Sequence, residues 1–540
     1  MIITELQQLY AAHPNVEGMY RLLQDNSVRH LYCSGLCASA ASLFSSVLIQ
    51  RVECPFVFIL GDLEEAGYFY HDLTQILGTE QVLFFPSSFR RAIKYGQKDA
   101  ANEILRTEVL SRLQKGEEGL CVVTYPDALA EKVVSRKELG DKTLKLHLGE
   151  KVDMDFVTEV LRSYSFEYVD YVYEPGQYAV RGSIIDVFSF SSEFPFRIDF
   201  FGDEVESIRT FEVESQLSKE KKENIVIVPD LSHSLEQRGN GGMVSFLDFL
   251  QPDTLLAMKD FLWLRERIQT VHDEALTAQA IAAREAEENG LISLDGKLID
   301  GGEFTLRALD FRRIEFGTKP TGTPDATVTF NTTAQPIFHK NFDLVAESFH
   351  DYLSRNYALY ICSDSLKQTE RIRAIFEDRG DNISFTSVER TLHEGFADDA
   401  LRLCIFTDHQ LFDRFHKYNL KSDKARSGKV ALSLKELNQF TPGDYVVHTD
   451  HGVGRFTGLV RIPNGDTTQE VMRLVYQNDD VVFVSIHSLH KVSKYKGKEG
   501  EAPRLNKLGT GAWEKLKDRT KTKIKDIARL FERIKVRLHG

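Results

Sequence analysis

No stretch of this 540-residue sequence completes the nucleotide-binding pattern G-x-x-x-x-G-K-[ST], and the nearest approach lacks its lysine. That approach is Gly35-Leu36-Cys37-Ala38-Ser39-Ala40-Ala41-Ser42. Gly35 fits the first glycine and Ser42 the magnesium-side hydroxyl. Ala40 replaces the second glycine and Ala41 the phosphate-binding lysine. Cysteine is scarce: six residues, at 33, 37, 54, 121, 362 and 404. Cys33 and Cys37 have no second pair at zinc-ligand spacing, so a zinc ribbon is excluded, and the cysteines read as reduced, buried small hydrophobes. Long apolar runs are missing as well. Phe56–Leu60 is far too short to cross a bilayer. The opening MIITELQQLY has neither a basic n-region nor a long apolar h-region, so no secretory signal and a cytoplasmic location are expected.

What remains is a soluble multidomain composition, 42% hydrophobic and 27% charged. The formal net charge is −13, which argues against a protein that coats nucleic acid over its whole surface. The charge is uneven. Residues 485–540 hold 16 Lys and Arg against 6 Asp and Glu, a local +10 that leaves −23 for the rest. Such a basic end can face DNA or an acidic protein, or can be a solvated helix face.

Residues 20–130 alternate apolar runs and helical patterns, the rhythm of a parallel α/β sheet. Strands are expected at His30–Ser34, Pro55–Leu60, Val82–Phe85 and Leu120–Thr124, with helices at Ser39–Gln50 and Ala100–Gln114. Near residue 145 short aromatic and β-branched runs take over: Tyr168–Tyr173, Tyr178–Val180, Ile184–Phe188, Phe196–Phe201 and Ser207–Phe211. Broken by Pro and Gly, they predict an antiparallel insertion. A helix is expected over Trp263–Glu288. Residues 343–412 return to α/β alternation, with helices Leu344–Arg355 and Ser365–Arg379 and strands Ala358–Cys362, Ile383–Phe385 and Leu401–Thr407. Phe440–Val492 is punctuated by Pro442-Gly443, Gly452, Gly454 and Asn464-Gly465, which predicts a compact all-β unit the size of an SH3-like barrel. Ala512–Leu538 reads as one basic amphipathic helix without a closing cap, as in a piece of a longer chain.

Two readings stand at Gly35–Ser42: a chance spacing in an ordinary βαβ unit, or the relic of an ATPase loop. At Phe196–Phe201, strand periodicity puts Phe196, Ile198 and Phe200 on one face and Arg197, Asp199 and Phe201 on the other. An arginine beside a phenylalanine on a polar face has the make-up of an interface hot spot. The alternative is that Phe201 turns inward at the strand end. His448-Thr449-Asp450-His451 and His487-Ser488-Leu489-His490 both read H-x-x-H, yet neither lies on an expected helix with the H-E-x-x-H arrangement, so no metal site is assigned.

The run Glu174-Pro175-Gly176-Gln177-Tyr178-Ala179-Val180-Arg181-Gly182-Ser183-Ile184-Ile185-Asp186-Val187-Phe188, with Phe196-Arg197-Ile198-Asp199-Phe200-Phe201-Gly202-Asp203-Glu204, resembles a signature shared by the UvrB excision-repair helicases and the transcription-repair coupling factor (Mfd) family. Gly443-Asp444-Tyr445-Val446-Val447-His448-Thr449-Asp450-His451-Gly452-Val453-Gly454-Arg455-Phe456 resembles the opening of the RNA-polymerase-interacting domain that this family shares with CarD-type regulators. The two signatures in this order point to the N-terminal portion of the coupling-factor family.

The resemblance implies a multidomain α/β fold. Residues 1–130 would be a UvrB-like lobe with a degenerate P-loop, 131–225 an antiparallel UvrA-binding insertion, and 226–335 the remainder of the lobe. A small α/β domain would follow at 336–415, a linker at 416–435, an SH3/Tudor-like polymerase-binding barrel at 436–508, and a basic helix at 509–540 leading to a motor. It implies UvrA contacts at Arg181, Arg197 and Phe201, and contacts with the RNA polymerase β subunit at Leu459, Val460, Arg461 and Ile462. Gly35, Ala40, Ala41 and Ser42 would bind no nucleotide. ATP and magnesium, and most contact with double-stranded DNA, would belong to the absent motor, leaving this segment without cofactor, catalysis or membrane contact. The chain would be an adaptor for transcription-coupled repair. The alternatives are a UvrB-type damage-verification helicase, against which Ala41 and the short stretch between Phe85 and Gln114 speak, and a CarD-like regulator, against which the Arg181–Phe201 signature speaks.

Overall fold

A computed structural model describes residues 1–88, 100–213, 215–231, 243–285, 296–414, 416, 441–464, 467–485, 492–495, 503–508 and 513. The expected basic helix over Ala512–Leu538, all but the first residue of the 416–435 linker, and His487–His490 lie outside the described residues.

Seven parallel strands form the first sheet, in the order Ala326–Thr329, His30–Ser34, Arg312–Phe316, Leu255–Lys259, Phe56–Ile59, Cys121–Thr124 and Val82–Phe85. Phe56–Ile59, Val82–Phe85 and Cys121–Thr124 are buried throughout, because helices cover both faces of a parallel sheet. Helix Leu63–Leu77 starts on Asp62, whose carboxylate accepts the Glu65 amide, one of the donors a helix start leaves unpaired.

Between Thr124 and Leu255 the chain leaves this sheet and returns. It does so through two antiparallel pairs, Val133–Val134 with Met243–Val244 and Leu144–His147 with Asn224–Ile227. Beyond them lies a six-stranded sheet in the order Ser218–Lys221, Glu204–Phe211, Phe196–Phe201, Ile184–Val187, Gln177–Arg181, Glu167–Tyr168. All pairs are antiparallel except the last. Helix Met154–Ser163 covers one face, its Val157 and Leu161 packing among Tyr178, Ile185, Ile198 and Ile208. The strand expected over Tyr168–Tyr173 ends at Tyr168. Its continuation folds across the other face of the sheet, where Val172 is buried against Ala179, Phe188 and Phe211. The Gln177 side chain accepts the amides of Tyr173 and Glu174, which replaces the ladder bonds those residues would have made.

The next sheet runs Thr332–Ala334, Phe396–Asp398, Leu403–Thr407, Ala358–Ser363, Thr386–Glu389. Ile383 and Phe385 are not in the strand expected for them. They lie in an irregular segment just before the strand Thr386–Glu389, and their half-buried side chains pack onto this domain's core. The domain rests on the first lobe through the N-terminal helix Ile3–Ala11. Tyr10 Oη donates to Asp398 Oδ2 at 2.5 Å, and Ile2 bridges to Glu389.

The last sheet has five antiparallel strands, Val481–Ser485, Thr467–Val475, Gly452–Asn464, Tyr445–His448 and Val492–Lys494. It curls, with a register shift between Phe456 and Gly458, around Val446, Phe456, Met472, Leu474 and Tyr476. Among the described residues its two edge strands do not pair, so the expected closed barrel is an open sheet here.

Candidate functional site

Three places carry the residues singled out above. On Phe196–Phe201 the alternation holds: Phe196, Ile198 and Phe200 are buried, while Phe201 is 78% exposed. Phe201 therefore does not turn inward. Arg197 is only slightly exposed, because it lies across the strand pair from Asp186. Its Nε donates to Asp186 Oδ1 at 2.7 Å, its Nη2 to Oδ2 at 2.9 Å and its Nη1 to the Gln216 carbonyl at 3.1 Å. Its guanidinium also stacks over the Phe211 ring, 4.4 Å from the centroid. Arg181, two residues beyond the position opposite Asp186, donates through Nη2 to the same Asp186 Oδ2. Arg181 remains half-exposed and lies 5.1 Å from the centroid of Tyr171, itself exposed. The face thus presents Tyr171, Arg181, Leu217 and Phe201 around a pair of arginines locked by one buried carboxylate. Sequence reasoning missed Asp186. The available signal was an aspartate inside the apolar run Ile184-Ile185-Asp186-Val187-Phe188, at an outward position where only a cation would make it tolerable.

In the last sheet, Leu459, Val460, Arg461 and Ile462 pair with Met472, Val471, Glu470 and Gln469. Tyr445–His448 covers the other side of that long strand only as far as Arg455. From Thr457 to Asn464 that side has no strand partner among the described residues. Leu459 is exposed and Val460 partly so; the side chains of Arg461 and Ile462 lie outside the described set. Gly452 has φ +79° and sits where a Cβ would come within 2.6 Å of Asn506 Oδ1. Asn506 clasps the start of the strand, accepting the Val453 amide at 2.7 Å and donating its own amide to the Val453 carbonyl at 2.9 Å.

At Gly35 the backbone has φ +80°, and a Cβ would fall 2.0 Å from the Phe330 carbonyl oxygen. Glycine is required there by the neighbouring strand connection alone. Thr332 Oγ1 donates to the Gly35 carbonyl and accepts the Cys37 amide. The Ala40 amide is spent on the Cys37 carbonyl. Ser39 and Ser42 donate their hydroxyls to Asp72 Oδ2 at 2.6 and 2.8 Å, and the His393 amide donates to Asp72 Oδ1 at 2.7 Å. Burial pushes the Asp72 carboxyl up to about 7 in spite of these bonds. A cleft of about 590 Å³ opens beside the turn, lined by Ala41, Asp62, Glu64, Glu65, Asp72 and Glu394. Its lysine, Lys259, is paired with Glu65. The cleft is acidic where a triphosphate would need cations.

Residues 144–233 match the UvrB interaction domain family, and residues 440–496 match the CarD-like/TRCF RID domain family. The chain therefore joins two interaction domains, one carried on the neck of an α/β lobe and one beyond it. It is related to proteins named transcription-repair-coupling factor. It is 24% identical over 567 residues to the one from Bacillus subtilis (strain 168), covering 92% of this chain and 47% of that protein. It is 24% identical over 575 residues to those of Staphylococcus aureus strains RF122 / ET3-1 and USA300, covering 92% of this chain and 48% of each. The chain spans about half the length of the curated relatives it matches. No described helix is long and apolar enough to cross a membrane.

Proposed function

We propose that these 540 residues are the coupling portion of a cytoplasmic transcription-repair coupling factor. The RID sheet docks on the β subunit of a stalled RNA polymerase, and the UvrB-type insertion recruits UvrA for nucleotide excision repair. The observation that carries this reading is the presence of both interaction domains on one chain, in this order. On the insertion, the contact set is Arg181, Arg197 and Phe201. The exposed ring would fill a pocket, and the half-exposed Arg181 would meet a carboxylate. On the RID, taken as a bent SH3/Tudor-like unit, the contact is Leu459–Ile462, whose open strand edge suits main-chain pairing with a partner strand.

The segment itself carries no catalysis in this proposal. Gly35–Ser42 is a nucleotide-loop relic in which Asp72 and Thr332 have taken the hydrogen bonds a phosphate would use, and an acidic cleft repels the ligand. ATP-driven translocation on double-stranded DNA belongs to a motor outside these residues. The test is co-elution. Isolated UvrA and an RNA polymerase β-subunit fragment should form a ternary complex when this chain is added, and should co-elute less without it. Phe201→Ala should remove UvrA alone, and Ile462→Asp should remove polymerase alone. Failure of the chain to bind either protein at micromolar concentration would end the proposal.

A further inference from the structure

The geometry points to Asp186 as a positioning residue that orients Arg181 for the partner while never touching it. This rests on the reading of the outer sheet face as the UvrA surface. Asp186 is 1% exposed, with a fully buried side chain, so no partner can reach it. Both its oxygens are occupied: Oδ1 by Arg197 Nε, Oδ2 by Arg197 Nη2 and by Arg181 Nη2. A two-pronged carboxylate–guanidinium contact fixes a plane as well as a distance. The Arg197 plane is fixed further by the Gln216 carbonyl and by the Phe211 ring beneath it.

The two arginines are therefore unequal. Arg197 spends three of its five N–H groups inside the domain. Arg181 gives Asp186 a single nitrogen and keeps the rest of its fork toward solvent, braced over Tyr171. A free arginine loses rotamer freedom when immobilised. Asp186 pre-pays part of that loss for Arg181, so the partner finds the fork already aimed. Arg197 is then the rigid member of the contact set, the one that holds Asp186, and the unspent donors fall to Arg181, beside Phe201 and the flanking Tyr171.

Charge alone makes the opposite forecast. The trio carries +1; Asp186→Asn raises it to +2 in nearly the same shape. If the surface attracted its partner only by positive potential, that substitution would leave UvrA binding unchanged or tighten it. If Asp186 positions Arg181, binding weakens by about tenfold, on the scale of a lost hot-spot contact. The experiment measures UvrA affinity of the full chain for wild type, Asp186→Asn, Arg181→Ala, Phe201→Ala and the Asp186→Asn/Arg181→Ala pair, with a thermal melt on every sample. The expected result is weaker binding by Asp186→Asn at a retained melting transition, with the pair no weaker than Arg181→Ala alone. Asp186→Asn binding as tightly as wild type, while Arg181→Ala and Phe201→Ala are impaired, overturns the proposal and leaves the surface reading intact. Normal binding by Arg181→Ala and Phe201→Ala removes the surface reading and this proposal together. Should Asp186→Asn not fold, Arg197→Lys replaces it. That variant keeps the charge and loses the two-pronged contact, and the same weakening is expected; unchanged UvrA binding by it overturns the positioning role.

Discussion

At the scale of single residues, burial divides the two faces of one strand. Phe201 is exposed, so Phe201→Ala should leave the melting temperature within the small range of surface substitutions, about 0.5 kcal/mol, in differential scanning calorimetry. Arg197 behaves differently. Arg197→Ala would leave Asp186 buried with one of its two cations gone, and a broken buried pair costs about 3–5 kcal/mol. The strand pattern alone gives no reason for that cost, since it places Arg197 on a face free of core duty; a marked fall in melting temperature is the expected outcome. Asp72 supplies a pH signature. Its carboxyl is raised from 3.8 to about 7 by burial, so the folded chain favours the protonated form. A raised folded value contributes stability fully below about 4, and that contribution is lost as pH rises through about 7. Asp72→Asn should therefore gain on wild type progressively between about pH 4 and 7 in urea titrations. A difference that stays flat across that window would show that Asp72 is ionised throughout.

At the scale of elements, a histidine cluster joins helix Leu63–Leu77 to the small domain. His71 from that helix, His393 and His409 from the domain, and His416 stand with ring centroids 4.4–6.0 Å from His416. Each has a ring nitrogen without a hydrogen-bond partner among the described residues. Tyr68 stacks on His393 at 3.4 Å and donates to the His416 carbonyl. Asp364 and Asp408 face the cluster as anions, and Arg414 as a cation held by Asp408. Burial, then mutual repulsion, lowers His71 and His409 from 6.5 to about 4 and His393 to about 3. A depressed folded value means stability present above about 6.5 and lost as pH falls toward 3–4. Acid should therefore loosen this junction, read as faster amide exchange along Leu63–Leu77 at pH 5 than at pH 7.5 after correction for intrinsic rates. His409→Gln keeps a donor for the His393 carbonyl and removes one titrating ring, so it should reduce that acid sensitivity. Equal exchange at the two pH values would sink the expectation.

At the scale of the whole molecule, the N-terminal helix is a tie between two sheets. Ile3, Leu6 and Tyr10 belong to the same buried cluster as Phe56 of the first sheet and Phe396 and Ile405 of the third. Tyr10→Phe deletes the hydroxyl that bonds buried Asp398 and should cost about 1–3 kcal/mol. Because the cluster is continuous, the lobe and the small domain should melt together in calorimetry; the small domain melting first and alone in the wild type would contradict that continuity.

The division of labour between sequence and fold follows from the range of the interactions. Periodicity is local, so the strands His30–Ser34 and Phe196–Phe201 and the helix Leu366–Arg379 were legible within a residue or so, and with them the outward aim of Arg197 and Phe201. The missing lysine at Ala41 was legible for the same reason. Partnership is not local. Nothing near Arg197 in sequence says that Asp186 will stand opposite it, or that Asp72 and Thr332 will occupy the hydrogen bonds of the Gly35–Ser42 turn from 30 and 297 residues away. Ile383 and Phe385 looked like a strand because apolar side chains need burial. The tertiary fold half-buries them from the irregular segment before the strand and gives the ladder to Thr386–Glu389. The sequence by itself determined which faces are apolar and which residues point out. Only the packed structure decided which charges are paired inside the protein and which stay exposed, because that depends on what the fold brings within hydrogen-bond reach.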